Sequence, residues 1–144
     1  MDRGTESGFS LIELLLVIVI IGIVAAIAVP AYQKGKWAAE NGAAFGTMRT
    51  LASSQVSFYT QNSRFGRLPE INAVLGSAVG TVVDSTLIRG TYVFAMPDAE
   101  TDETLKTTYR ITARRDVAGD ALYLYELNQT GHIVQVFPEG APVN

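Results

Sequence analysis

Few side chains in this 144-residue chain are equipped for covalent or metal chemistry. There is one histidine, His132, and no cysteine, so a thiolate nucleophile, a thiolate metal site and a disulfide framework are all excluded. His132 could be drawn into a triad with nearby serines and aspartates, but no G-x-S-x-G motif supplies a nucleophile, and a surface strand histidine is expected instead. The acidic run DAETDE (98–103) places Asp98, Glu100, Asp102 and Glu103 close together. Its spacing hints at calcium, yet an EF-hand loop needs Gly where Glu103 stands and Glu where Tyr109 stands. A solvated hairpin loop is the better reading. Arg110, Arg114 and Arg115 form a small basic patch, read as a solvated strand edge because the net charge is −3 and no basic face for nucleic acid is indicated. Asn128-Gln129-Thr130 fits a glycosylation sequon, and the same residue types suit a turn. No catalytic residue, metal ligand or cofactor is expected.

One carboxylate remains in an unusual place. Residues 8–14 read GFSLIEL and open the apolar run LLLVIVIIGIVAAIAV, residues 14–29, so that Glu13 stands at the edge of a segment otherwise fit for lipid. As a helix, Phe9–Val29 would rise roughly 31 Å, which matches a hydrocarbon core of about 30 Å. Three readings compete. A transmembrane helix fits the length. A secretory signal peptide could use the small residues Ala25, Ala26 and Ala28 for cleavage, but the preceding MDRGTESG sets Asp2 and Glu6 against a single Arg3, where a basic start is needed. A buried core helix seldom runs this long without polar interruption. Lys34 and Lys36 after the run would, by the positive-inside rule alone, place the C-terminal side in the cytoplasm. A carboxylate at the bilayer centre costs about 2.5–3.5 kcal/mol and less near the end. Glu13 therefore either stays wet at the interface or waits for a cation that assembly supplies.

Gly8-Phe9-Ser10-Leu11-Ile12-Glu13 resembles the prepilin cleavage and N-methylation signature of bacterial type IV pilins and type II secretion pseudopilins. A short polar leader ends in Gly, Phe follows, Glu comes four residues later and an unbroken apolar run continues. Gly22 and Pro30 stand where pilin helices commonly carry Gly and Pro, and the close resemblance covers residues 8–37. It implies that prepilin peptidase cuts between Gly8 and Phe9 on the cytoplasmic face and methylates the Phe9 amine. It also implies that Glu13 meets the Phe9 amine of a neighbouring copy as helices bundle, fixing axial register. The leader is poorer in Lys and Arg than the family's usual pattern. The family's orientation, N-terminus in the cytoplasm, overrides the charge argument from Lys34 and Lys36.

The elements that must position this segment follow from pattern. Pro30 lacks an N–H and crowds the carbonyl of Ala26, so a bend or local break is expected near residues 26–30. With Gly22 it marks a stretch that the resemblance implies loosens on assembly. Beyond Pro30, Phe45, Met48, Ala52, Val56 and Tyr59 recur at steps of three and four, flanked by Leu51 and Phe58, with Arg49, Thr50, Ser53, Ser57 and Thr60 opposite. That is an amphipathic helix with one side on a core. Gly35, Gly42 and Gly46 weaken it and suit close contact between neighbouring helices. Lys34, Lys36 and Trp37 suit an interfacial collar. Four strand-like runs follow: 91–96, 107–114, 122–127 and 132–137. In the second, Tyr109, Ile111 and Ala113 point inward. NQTG joins the last two runs as a hairpin, Gly131 supplying the positive φ.

The expected fold is α+β: a long N-terminal helix, hydrophobic then amphipathic, packed on a C-terminal four-stranded antiparallel β-sheet. Residues 1–8 form the leader, 9–30 the transmembrane and assembly half of the helix and 31–62 its amphipathic half. Residues 63–90 are a connecting loop region and 91–144 the sheet head. The function implied is a structural pilin that homopolymerises into an extracellular type IV pilus filament after storage in the inner membrane. Its partners would be prepilin peptidase, the inner-membrane assembly machinery and its own copies, with no nucleic acid. Adhesion, motility and secretion all use such subunits. The alternatives are a secretion pseudopilin and, from another class, a secreted or tethered binding domain using residues 9–29 as signal or anchor.

Overall fold

The computed structural model describes residues 8–98, 101–117 and 120–138. The leader before Gly8, Ala99 and Glu100 of the acidic run, and the chain end after Pro138 lie outside the described residues. Helix α1 runs from Leu11 to Asn62, followed by α2 (Leu68–Val74), β1 (Thr81–Val83), β2 (Thr86–Arg89) and β3 (Tyr92–Ala95). A short α3 (Asp102–Leu105) precedes β4 (Arg110–Val117), β5 (Asp120–Asn128) and β6 (Ile133–Phe137). The chain divides into two units, Met1–Ala39 and Glu40–Asn144.

In the first unit the apolar run is helical and its side chains are exposed, Leu11, Ile18 and Ile27 among them. By length and composition this helix is apolar enough to cross a membrane. It continues unbroken through Pro30. The expected local break is therefore absent: one missing N–H leaves a single carbonyl without its partner, too small a loss to end a helix with an apolar run of Ile, Val and Ala before Pro30 and further helical turns after it.

In the second unit six strands form one antiparallel meander in the order β1-β2-β3-β4-β5-β6, two more than the sequence pattern indicated. The additional pair lies within residues 63–90, taken above as connecting loop. Each strand is only three or four residues long and β1 is exposed along its length, so neither shows the alternation that marks a half-buried strand. Tight turns join them, with Asp84 at φ 53° and Gly90 at φ 60°. The other four strands fall within about three residues of the expected runs. Tyr109, Ile111 and Ala113 face the core, and Gly131 closes the β5–β6 hairpin at φ 80°.

The core lies between the inner sheet face and the C-terminal part of α1. Tyr92, Phe94, Ile111, Tyr125 and Leu127 meet Ala44, Thr47, Met48 and Leu51, with Leu68 and Ile71 of α2 and Leu105 of α3 closing one end. The helix face is rotated from the expected stripe. Val56 and Tyr59, assigned to the core above, are 62% and 39% exposed, whereas Gln55 is fully buried. On a helix Val56 lies about 100° round from Gln55, and a polar Gln55 concealed the centre of the face. Its amide explains the placement: both of its polar atoms serve Gly66, Nε2 donating to the Gly66 carbonyl at 2.7 Å and Oε1 accepting from the Gly66 N–H at 2.8 Å. A buried amide so satisfied carries little penalty. A Cβ on Gly66 would stand 2.8 Å from Ile71 Cδ1, so a side chain there requires Ile71 to shift.

Candidate functional site

The N-terminal site is assembled from consecutive residues. Gly8, Phe9 and Ser10 precede the helix and are exposed, Phe9 at 85%. The Gly8–Phe9 peptide bond thus lies in non-helical chain, with nothing within 4 Å of where a Gly8 Cβ would stand. Ser10 is the entry to α1: its carbonyl accepts from the N–H groups of Glu13 and Leu14 at 3.1 and 3.2 Å. Glu13 turns back toward that entry, and its Oε2 accepts from the Ser10 N–H at 2.9 Å. This is the acidic half of a capping box, in which a carboxylate in the first turn satisfies a backbone donor and faces the positive end of the helix dipole.

Gly8, Phe9 and Glu13 are therefore adjacent at one helix end. Gly22 and Pro30 are not part of that cluster; they lie farther along α1, and nothing stands within 4 Å of a Cβ built on Gly22. The capping contact was missed by the sequence reading. Its signal was present as Ser10-x-x-Glu13 before an apolar run. The arrangement holds a carboxylate at the first helical turn, four residues from a reachable peptide bond. Cutting that bond would create an amine at the same end. A carboxylate and an ammonium brought together out of water form a charge-assisted hydrogen bond.

The head offers no competing site among the described residues. No group of three His, Cys, Asp or Glu side chains is placed to hold a metal there. The basic patch is tied up in ion pairs. Arg110 donates twice to Asp98, at 2.7 and 2.9 Å, holding that carboxyl below its usual range. Arg114 pairs with Asp116 at 2.6 Å. Arg115, expected on a solvated strand edge, has a side chain only 7% exposed and lies 2.6 Å from Glu40. A β-bulge between Arg115 and Asp116 shifts the register at that point. Asp102, from the acidic run, pairs with Arg67 at 2.7 Å and opens α3, which Thr101 caps from the preceding position. A second network fixes the α1–α2 connection. Arg64 makes a two-pronged contact with Glu70 at 2.9 and 2.6 Å, and Glu70 also accepts from the Arg67 N–H at 2.8 Å. The Arg64 hydrogen bond holds the Glu70 carboxyl below its ordinary range, with the Arg67 N–H assisting against partial burial.

Residues 3–29 match the family described as the prokaryotic N-terminal methylation motif. A fimbrial protein of Neisseria meningitidis serogroup A / serotype 4A is 30% identical over 128 residues, covering 89% of this chain and 70% of the relative. The type IV major pilin protein PilE of Neisseria gonorrhoeae is 30% identical over 128 residues, 89% of this chain and 71% of the relative. A fimbrial protein of Moraxella nonliquefaciens is 48% identical over 61 residues, 42% of this chain and 39% of the relative. The long apolar helix, the antiparallel sheet that follows it in the chain and the likeness to pilins along most of the sequence agree: this chain belongs to the type IV pilin family and is a pilus subunit.

Proposed function

We propose that the chain is made as a precursor whose residues 1–8 are a leader, and that prepilin peptidase cuts it between Gly8 and Phe9 at the cytoplasmic face. The same enzyme methylates the Phe9 amine. Residues 9–30 hold the subunit in the inner (cytoplasmic) membrane until the inner-membrane assembly machinery adds it to an extracellular filament of identical copies. The subunit has no catalytic role and needs no cofactor.

The observation that carries this reading is the single carboxylate at the start of an exposed helical run that holds no other charge before Lys34, four residues from a peptide bond in open chain. Before the cut, the Ser10 N–H and the helix dipole stabilise Glu13 locally. After it, the Phe9 amine of a neighbouring copy gives Glu13 a full counter-charge as helices bundle. A buried ion pair need not add net stability, but misalignment that leaves either charge unpaired is penalised, so the pair selects one axial stagger. Gly22 and Pro30 make residues 22–30 the stretch that yields most readily when the helix is repacked. Gly35, Gly42 and Gly46 meet nothing within 4 Å inside the chain and leave room for close approach of adjacent helices. Relatives named as pilins and fimbrial proteins favour the pilus over the secretion pseudopilus.

Mass spectrometry of the N-terminal peptide from filaments sheared off the cell surface tests the processing step. A peptide starting at methylated Phe9 supports it. A start near Val29 would establish ordinary secretion instead, and a retained Met1 would show that the bond is not cut.

A further inference from the structure

The sequon Asn128-Gln129-Thr130 is a weak signal by itself, because Asn and Thr also serve turns. Its geometry is more specific. The triplet ends β5 and enters the β5–β6 hairpin, where Gln129, Thr130 and Gly131 are exposed. Asn128 Oδ1 accepts from the Thr130 hydroxyl at 2.6 Å and from the Thr130 N–H at 3.0 Å. The hydrogen bonds of the Asn128 side chain to other described residues all fall on Oδ1, leaving Nδ2 without one, and the residue is half-buried rather than enclosed. The turn is held independently, by the Gly131 N–H on the Asn128 carbonyl at 3.0 Å and by the Thr108 hydroxyl on Gln129 Oε1 at 2.8 Å. On β5, Asn128 shares the outward face with Glu126 and stands opposite Arg110, away from the core-facing Tyr125 and Leu127.

A carboxamide nitrogen is a poor nucleophile because its lone pair is delocalised into the carbonyl. Two donors on Oδ1 draw density from the amide and make an Nδ2 proton easier to remove, and a free Nδ2 can accept a new bond without disturbing the fold. An aspartate would close this turn equally well through the same oxygen; only the nitrogen and the Thr130 hydroxyl exceed what the turn requires. We propose that Asn128 is an N-linked glycan acceptor, modified after the head has been exported. The transfer forms a bond from Nδ2 to the anomeric carbon of a saccharide carried on a lipid diphosphate. The bond from that carbon to the diphosphate oxygen breaks, diphosphate leaves with the electron pair, and one Nδ2 proton passes to a base of the transferase. The inference rests on the export step proposed above.

Tandem mass spectrometry on protein purified from the cells that naturally make it tests both steps in one digest. The peptide containing Asn128 carries a saccharide that N-glycosidase releases, leaving aspartate at 128. Asn128→Asp, which preserves the turn acceptor, and Thr130→Val lose the modification, whereas Thr130→Ser retains it. Bare Asn128 in the native protein overturns the inference, as does a saccharide that persists in Asn128→Asp. The Phe9 peptide in the same digest reports the processing step separately. Methylated Phe9 beside bare Asn128 rejects the glycan alone, and an unprocessed N-terminus beside a modified Asn128 rejects the processing scheme alone.

Discussion

Replacing Arg115 by Met leaves the Glu40 carboxylate facing the core without the guanidinium that stands 2.6 Å away. Breaking a fully buried pair by removing one partner costs about 3–5 kcal/mol. The Glu40 side chain keeps 21% exposure, so part of the desolvation is relieved and about 2–3 kcal/mol is the expected loss. Against a total of about 5–15 kcal/mol that is a large fraction. Urea unfolding of residues 31–144, followed through tyrosine and Trp37 fluorescence, reads it as a midpoint lowered by roughly 1–2 M for a slope near 1.5 kcal/mol/M. The paired replacement of Glu40 and Arg115 by Met removes both charges and recovers most of the loss, because well-packed apolar groups often replace a buried pair without cost. A loss below about 0.5 kcal/mol in the single variant would refute the reasoning, since Glu40 would then be adequately solvated without its partner.

Other expectations concern the buried Gln55 amide, the acid limb of stability and the cut bond. Gln55→Leu strands the Gly66 N–H and carbonyl in the core and lowers stability by about 2–4 kcal/mol in the same assay. Glu70 has a folded-state pKa below its ordinary value, so its contribution is complete above about pH 4.3 and is lost as pH falls through the lower folded value. Unfolding midpoints below pH 4 should therefore fall less steeply in Glu70→Gln than in the wild type. Gly8→Trp should accumulate as an unprocessed, membrane-bound precursor on immunoblots of cell fractions, and normal maturation would contradict the assigned cut.

The order Gly8, Phe9, Glu13 was legible because it is local: residue type and spacing carry it without tertiary information. The alternation of Tyr109, Ile111 and Ala113 was legible for the same reason, since one buried face imposes a period of two. Gln55 was not, because its burial depends on Gly66, eleven residues on and across a loop. Arg115 was hidden more deeply. A bulge interrupts the register beside it, and its partner Glu40 comes from the helix, far away in sequence. Strands β1 and β2 are too short to show a period, and Pro30, which marks a bend or local break in the sequence, removes one hydrogen bond without interrupting the helix. The Ser10–Glu13 contact is legible as half of a capping box, because Ser-x-x-Glu stands directly before the apolar run.

The central claim is that Glu13 is tolerated at the head of an apolar helix because bundling brings it the amine uncovered at Phe9. The most direct test is the number of surface filaments formed per processed subunit in Glu13→Ala, counted by electron microscopy and normalised to methylated Phe9 in the membrane. The account predicts normal insertion and processing with filaments reduced roughly tenfold or more, because each added subunit then leaves an ammonium unpaired. Wild-type filament numbers from fully processed Glu13→Ala subunits would contradict it.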